Sequence, residues 1–152
     1  MRLDIASCAA LLEGADHGVL ATQHPDRGVD AVPVCFAITP PGLVVPVDTV
    51  KPKASVELGR TRNLRAQPQA VLLVEHWDPA DWTVLWWVRV HLHHVPLDPT
   101  TSATATDALR ARYSAYRDTV FADLLGFEIT ATSGWAASAE AVVTGRSNPR
   151  RS

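Results

Sequence analysis

Lysine is almost missing from this chain: of 14 basic residues only Lys51 and Lys53 are lysine, and the rest are arginine. Lysine is ordinarily among the commonest residues, and here both survivors stand in one tripeptide, Lys51-Pro52-Lys53. Codon bias alone would produce the scarcity. A position where lysine persists beside so much arginine is nonetheless a candidate for a compact ammonium on a flexible stem. Cysteine is scarce too. Cys8 and Cys35 lack metal-type spacing and read as reduced, packed thiols of a cytoplasmic protein. No apolar run reaches the length of a membrane span, and the N-terminus lacks a charged-then-apolar signal pattern, so no membrane partner is expected. A basic excess is missing as well, and the net charge of -2 argues against general nucleic-acid binding. The Gly-x-Ser-x-Gly elbow, the Gly-Lys-Ser phosphate loop and the Gly-x-Gly-x-x-Gly turn are all missing. No serine has an identifiable base, so no catalytic residue is assigned.

What is present suits one globular domain. Hydrophobic residues make up 47% and charged residues 20% of the chain, enough for a core and too apolar for disorder. Residues 1–140 are expected to form the domain and 141–152 a disordered tail. Helical spacing of Ile5, Cys8, Ala9 and Leu12, closed by Gly14, predicts a helix over 4–14. Strands are predicted over 18–22, 29–38 and 43–47, separated by His24-Pro25-Asp26-Arg27-Gly28 and Pro40-Pro41-Gly42. A proline-started helix follows over 53–64, then strands over 71–77 and 82–95. A Thr/Ala/Ser linker at 100–106 leads to a helix over 107–117, and 127–132 reads as the last strand. Short antiparallel strands with inserted helices predict a mainly β (α+β) fold, a small barrel with flanking helices, rather than a doubly wound sheet.

Candidate chemistry concentrates between Lys51 and Arg65. Five cations and one anion, Glu57, make that segment +4, which leaves the rest of the chain at -6. A strand ends, a proline opens a helix, and two lysines stand at its start, where free N–H groups and the helix dipole favour a phosphate. For Arg60, Arg62 and Arg65 a solvated helix face explains the charge better. Trp77, Trp82, Trp86 and Trp87 fall within eleven residues, and strand geometry puts Trp86 and Trp87 on opposite faces. One should enter the barrel while the other meets a ligand or a partner chain, although all four could be core or dimer contacts. Arg89 shares the face of Trp87 and needs a partner, for which the carboxylate of Asp48 would serve as well as a phosphate. His91 and His93 share a face without further ligands at zinc spacing, so no metal is assigned.

Several of these runs resemble a known pattern. Gly18-Val-Leu-Ala-Thr22, Val32-Pro-Val-Cys-Phe-Ala37, Val47-Asp-x-x-Lys-Pro-Lys53, Leu58-x-Arg60 and Asn63 resemble the pyridoxamine-phosphate-oxidase-like superfamily. Leu72-Leu-Val-Glu-His-Trp77, Asp81-Trp82, Leu85-Trp-Trp-Val-Arg89, Arg112-Tyr113, Tyr116-Arg117 and Ser133-Gly134-Trp135 look like its actinobacterial, coenzyme F420-dependent branch. The resemblance implies a split β-barrel homodimer with cofactor in the groove between subunits. By position, Lys51, Pro52 and Lys53 would hold its phosphate or acidic tail, with Asp48, Arg60 and Asn63 beside them. Val32, Pro33 and Val34 would run past the ring. Trp87 and Arg89 would close the groove, and Trp77 would reach in from the other subunit. One departure is the segment after Arg89, where the family has a glycine turn and this chain has Val90-His-Leu-His-His94.

The expected function is hydride transfer from reduced F420 to a small organic acceptor such as an enone or quinone, the cofactor supplying the chemistry and the protein the orientation. Tyr113, Tyr116 and His76 are candidate proton donors, although a structural role explains each of them better. An FMN-dependent oxidase or reductase of the same fold, and a non-catalytic flavin- or haem-binding protein, are the alternatives.

Overall fold

A computed structural model of the chain describes residues 1–48 and 59–146. Seven strands form one antiparallel sheet: β1 (Gly18–His24), β2 (Gly28–Val34), β3 (Ala37–Thr39), β4 (Gly42–Asp48), β5 (Gln69–Asp78), β6 (Asp81–Val95) and β7 (Phe121–Ala136). Their order across the sheet is β2-β1-β5-β6-β7-β4-β3. The two edge strands, β2 and β3, are joined through Cys35 and Phe36 alone. So short a link forces the sheet to curl until its edges meet, yet β3 pairs with β4 only from Gly42 to Val44. The outer edge of β4 beyond Val44 therefore faces the outer edge of β2 across a gap in the barrel wall.

Alternation builds the core. Leu20, Leu72, Val74, Val88 and Val90 point inward and are buried with Phe36 and Phe127, the period of two expected of strands with one face covered. Strand β4 is buried on both faces. Leu43, Val45 and Val47 enter the barrel, while Val44 meets Ala105 and Leu109 of helix α3 (Pro99–Arg112) in a second cluster. Helix α1 (Ile5–Gly14) begins at Asp4, whose carboxylate accepts from the Ser7 N–H at 2.7 Å. Helix α2 is Gly59–Ala66, and α4 is Ala139–Arg146.

Three expectations change. The supposed linker over 100–106 is the first half of α3: Asp98 caps it through the Thr101 N–H at 2.7 Å, Pro99 opens it, and Ala105 buries fully. Burial against Val44 outweighs the weak helix propensity of its Thr and Ser residues. The last strand runs over Phe121–Ala136 rather than 127–132, because it pairs with β4 along one part and with β6 along another. Residues 141–146, placed in a disordered tail, belong to α4, where Ala141 and Val142 are buried. Residues 147–152 lie outside the described residues.

The glycine-free stretch after Arg89 does not turn. Strand β6 continues to Val95 with a register shift between His91 and Leu92, a bulge that bends a long strand without interrupting it.

Candidate functional site

The gap in the barrel wall is a cleft of about 300 Å³ lined by His17, Pro33, Val34, Cys35, Pro46, Arg60 and Tyr116. That is the lower end of the range for small-molecule sites, roughly 300–1,000 Å³. Each wall has a local cause. Pro33 lies on the edge strand β2 and Pro46 on the part of β4 that pairs with β7 and has no partner on its β3 side. Proline cannot donate to a ladder, so it belongs on such edges and keeps these two from zipping together. The Arg60 side chain comes from α2 and donates to the Pro46 carbonyl at 3.5 Å. Tyr116 sits in the turn after α3, its ring edge-on to Tyr113 at 5.4 Å and to Phe121 at 5.0 Å.

The link that closes the barrel is held from below. The Tyr113 hydroxyl accepts from the Phe36 N–H at 3.1 Å and from Arg112 Nε at 3.2 Å. The carbonyls of Phe36 and Asp16 stand 3.0 and 2.9 Å from it as acceptors. Burial pushes the Tyr113 phenol above its ordinary range, so it stays protonated. Arg112 lies over the Phe36 ring at 4.7 Å and donates to the carbonyls of Leu12, Glu13 and Ala15 at the end of α1. Tyr113 is therefore a fastener of the Cys35-Phe36 link and is not a group in the cleft.

The sequence-predicted residues separate into three sets. Pro33, Val34 and Arg60 meet in the cleft. Val34 is buried in the core, with Val32 packed against it, so the β2 edge and the Pro33 ring form that wall. Asn63 is buried one turn along α2 and donates to Thr22 Oγ1 and Asp30 Oδ2, both at 2.9 Å. It ties α2 to the barrel. Asp30, also paired with Arg27 at 3.0 Å, is held below the usual carboxylate range by Arg27 first and by Asn63 second.

Trp77, Trp87 and Arg89 are on the outer face of the sheet. Register places Pro33, Val19, Leu73, Arg89 and Ser133 in one row across β2, β1, β5, β6 and β7. At about 4.8 Å per strand, Arg89 is roughly 14 Å from Pro33 within one chain. Its guanidinium lies 5.5 Å from the Trp87 ring centre, and this cation–π contact answers part of its need for a partner. Trp87 pairs with Glu75 and Trp135, while Trp86 points inward and is buried. The arm that carries Trp77 and Trp82 leaves both rings exposed, at 52% and 71%. Lys51, Pro52, Lys53 and the Asp48 side chain lie outside the described residues. The elements that flank them, β4 and α2, both border the cleft through Pro46 and Arg60.

Sequence reasoning did not pick out His17, Cys35 or Pro46 as cleft residues. A proline inside an otherwise apolar strand was the available signal for Pro46. A larger hollow of about 480 Å³ lies at the other end of β1, between His24, Gln69 and His91. No charged side chain lines it, and His24 Nδ1 is engaged by the N–H groups of Asp26 and Arg27, so it offers nothing fixed for a phosphate. Among the described residues no group of three or more His, Cys, Asp or Glu is placed to hold a metal ion. No helix among them is long and apolar enough to cross a membrane.

No protein-family model matches the sequence, and no curated protein sequence matches it. Solved structures do match in fold. A conserved hypothetical protein of Mycobacterium tuberculosis superposes with a TM-score of 0.69 at 17% identity, over 89% of this chain and 86% of that one. An FAD-binding protein of Mesorhizobium loti gives 0.59 at 17% identity, over 88% and 93%. The haem storage protein HutZ of Vibrio cholerae gives 0.58 at 14% identity, over 87% and 94%. The chain therefore has the α+β, mainly β fold of flavin- and haem-binding split barrels.

Proposed function

We propose that the chain belongs to the pyridoxamine-phosphate-oxidase-like superfamily and binds a flavin-type cofactor, the deazaflavin F420, to reduce a small organic acceptor. The observation that carries this reading is the cleft at the split. Its walls are two strand edges that bound a space of about 300 Å³, and Arg60 stands on one side. The residues fit such a group, because the segment between the two bordering elements contains Lys51 and Lys53 and reaches +4 by Arg65. One ring-borne phosphate needs about two positive charges, and the lactyl-oligoglutamate tail of F420 accounts for the remainder. F420, if bound there in its reduced form, would supply the hydride for reduction of an electron-poor carbon, the accompanying proton coming from solvent. The protein's share would be to hold the anion and to position the ring against the cleft walls to which Pro33 and Pro46 belong.

Trp87, Arg89 and Trp77 enter this reading through a second copy of the chain. The outer sheet face exposes Val19, Leu73 and Trp135, each by more than a third, an apolar surface that a homodimer would cover. Such a dimer would bring the outer-face residues of one subunit to the cleft of the other.

Fluorescence titrations with F420 and FMN, each at low and moderate salt, test the cofactor. F420 should bind more tightly and lose more affinity with salt, because exposed tail contacts are screened. Tighter FMN binding, or turnover with reduced FMN alone, would replace F420 by FMN and leave the fold unaffected.

A further inference from the structure

We propose that the tip of the β5–β6 hairpin is a docking arm that closes, through Trp77, Trp82 and its carboxylates, on helix α2 of a second copy of the chain. This rests on the homodimer of the preceding reading and is independent of which cofactor the cleft holds.

The hairpin outruns the sheet that carries it. Strand β1 pairs with β5 from Ala70 to Leu73, and β7 pairs with β6 from Trp86 onward. Beyond those points every residue from Glu75 to Thr83 is exposed. A two-stranded ribbon with no covered face is marginal in water. This one is nonetheless closed by the Asp78–Asp81 pair, with Trp77 and Trp82 largely bare on either side of it. Exposed tryptophan grouped in this way is characteristic of a surface that another protein covers. The arm is also acidic: Glu75, Asp78 and Asp81 stand in it, and no lysine or arginine lies between Arg65 and Arg89. Hydrogen bonds from Thr83 hold the Asp81 carboxyl below its ordinary range, so it is charged at neutral pH.

The complementary surface is the chain's own basic segment. Lys51 to Arg65 carries +4, and on α2 Arg62 and Arg65 are exposed while Arg60 lines the cleft. Guanidinium planes stack on aromatic rings and pair with carboxylates, so an acidic arm tipped with tryptophan suits an arginine face in both respects. The contact cannot form within one chain. Asn63 fastens α2 to Thr22, which is paired with Ala70 on β5. From Ala70 to Asp78 the strand advances roughly 26 Å at about 3.3 Å per residue, which is beyond the reach of side chains. A two-fold axis that reverses the strand direction turns each arm towards the partner's α2 and makes the contact twice. Because α2 also supplies Arg60, the partner's arm braces one wall of the cleft.

Sedimentation equilibrium of the full chain tests this with two charge variants. The arm variant, Glu75→Lys with Asp78→Asn and Asp81→Asn, reverses the sign of the arm and keeps acceptors for the turn. The helix variant is Arg62→Glu with Arg65→Glu. Each alone should dimerise about thirtyfold more weakly than wild type, and so should Trp82→Ser, whose exposed ring the monomer does not need. An equimolar mixture of the arm and helix variants should regain dimers, because in the mixed pair both arms again meet a helix of opposite charge. Variants that dimerise like wild type, or a mixture no tighter than its components, would overturn the arm–helix contact and leave the homodimer standing. A wild type that stays monomeric at every concentration would overturn both.

Discussion

The guanidinium of Arg112 does the work of a helix cap from a hundred residues away. Its donors reach the carbonyls of Leu12, Glu13 and Ala15, the Glu13 carboxylate at 3.1 Å and the Tyr113 hydroxyl. Truncation would strand those acceptors, so Arg112→Ala should cost about 2–4 kcal/mol in denaturant unfolding. Arg112→Lys should recover less than half of that, because an ammonium cannot reproduce the planar fork. Tyr113 gives a pH signature. Burial raises its phenol above the ordinary value of 10.0, so the folded state holds the proton more tightly than the unfolded chain does. The corresponding stability is complete below that pH and is lost as pH rises through the folded value. Tyr113→Phe should be less stable at neutral pH yet show a flatter alkaline limb in a melting series, and a limb as steep as wild type would contradict that role. Lys51 and Lys53 make a different residue-scale prediction. Replacing either with alanine should weaken cofactor binding by about 1.5–3 kcal/mol with little change in the melting temperature of the cofactor-free protein, and titration of the double variant measures it.

At the scale of elements, short-range signals located strands and turns well and helices less evenly. The β5–β6 hairpin is the clear case: Asp78 and Asp81 close it, as their place among turn formers suggests. Helix α3 is the opposite case, because its first turns are rich in Thr and Ser and its reason for being helical is a buried contact with β4. The cap at Asp98 should therefore be measurable. Hydrogen bonds from Thr101 hold its carboxyl below the ordinary value of 3.8, so its contribution is present above that pH and is lost as pH falls through the lower folded value. Asp98→Asn keeps the acceptor and removes the charge, and should flatten the acid limb of the stability profile, whereas Asp98→Ala should lower the melting temperature at every pH. Helix α4 was illegible for another reason. A Cβ on Gly14 would lie 2.9 Å from the Gly145 carbonyl oxygen, so α1 and α4 meet through two glycines that sequence reads as a cap and a chain end.

At the scale of the whole molecule, the sheet is covered on its inner face and bare on part of its outer face. Assembly into a dimer is the expected consequence. Light scattering at micromolar concentration should give twice the chain mass. Leu73→Glu places a carboxylate on that face beside Arg89's row without touching the core, and should give a folded monomer with weakened cofactor affinity. A monomeric wild type that binds cofactor at full strength would confine the site to one chain and remove Trp87, Arg89 and Trp77 from it.

Composition and alternation by themselves determined that this chain is a mainly β domain, that Trp86 and Trp87 part company across a strand, and that positive charge gathers between Lys51 and Arg65. These follow from nearest neighbours in sequence, where a period of two or a cluster of cations is visible directly. What only the tertiary structure decided is which distant segments close on one another. Pro33 and Pro46 face each other because the sheet curls until β2 meets β4, Asn63 is a fastener because Thr22 and Asp30 wait beneath it, and Arg89 stands three strands from β2 and two from β4 in its own chain. Each depends on strand order and register, and a strand's sequence specifies which side chains face inward far more strongly than which neighbour lies beside it.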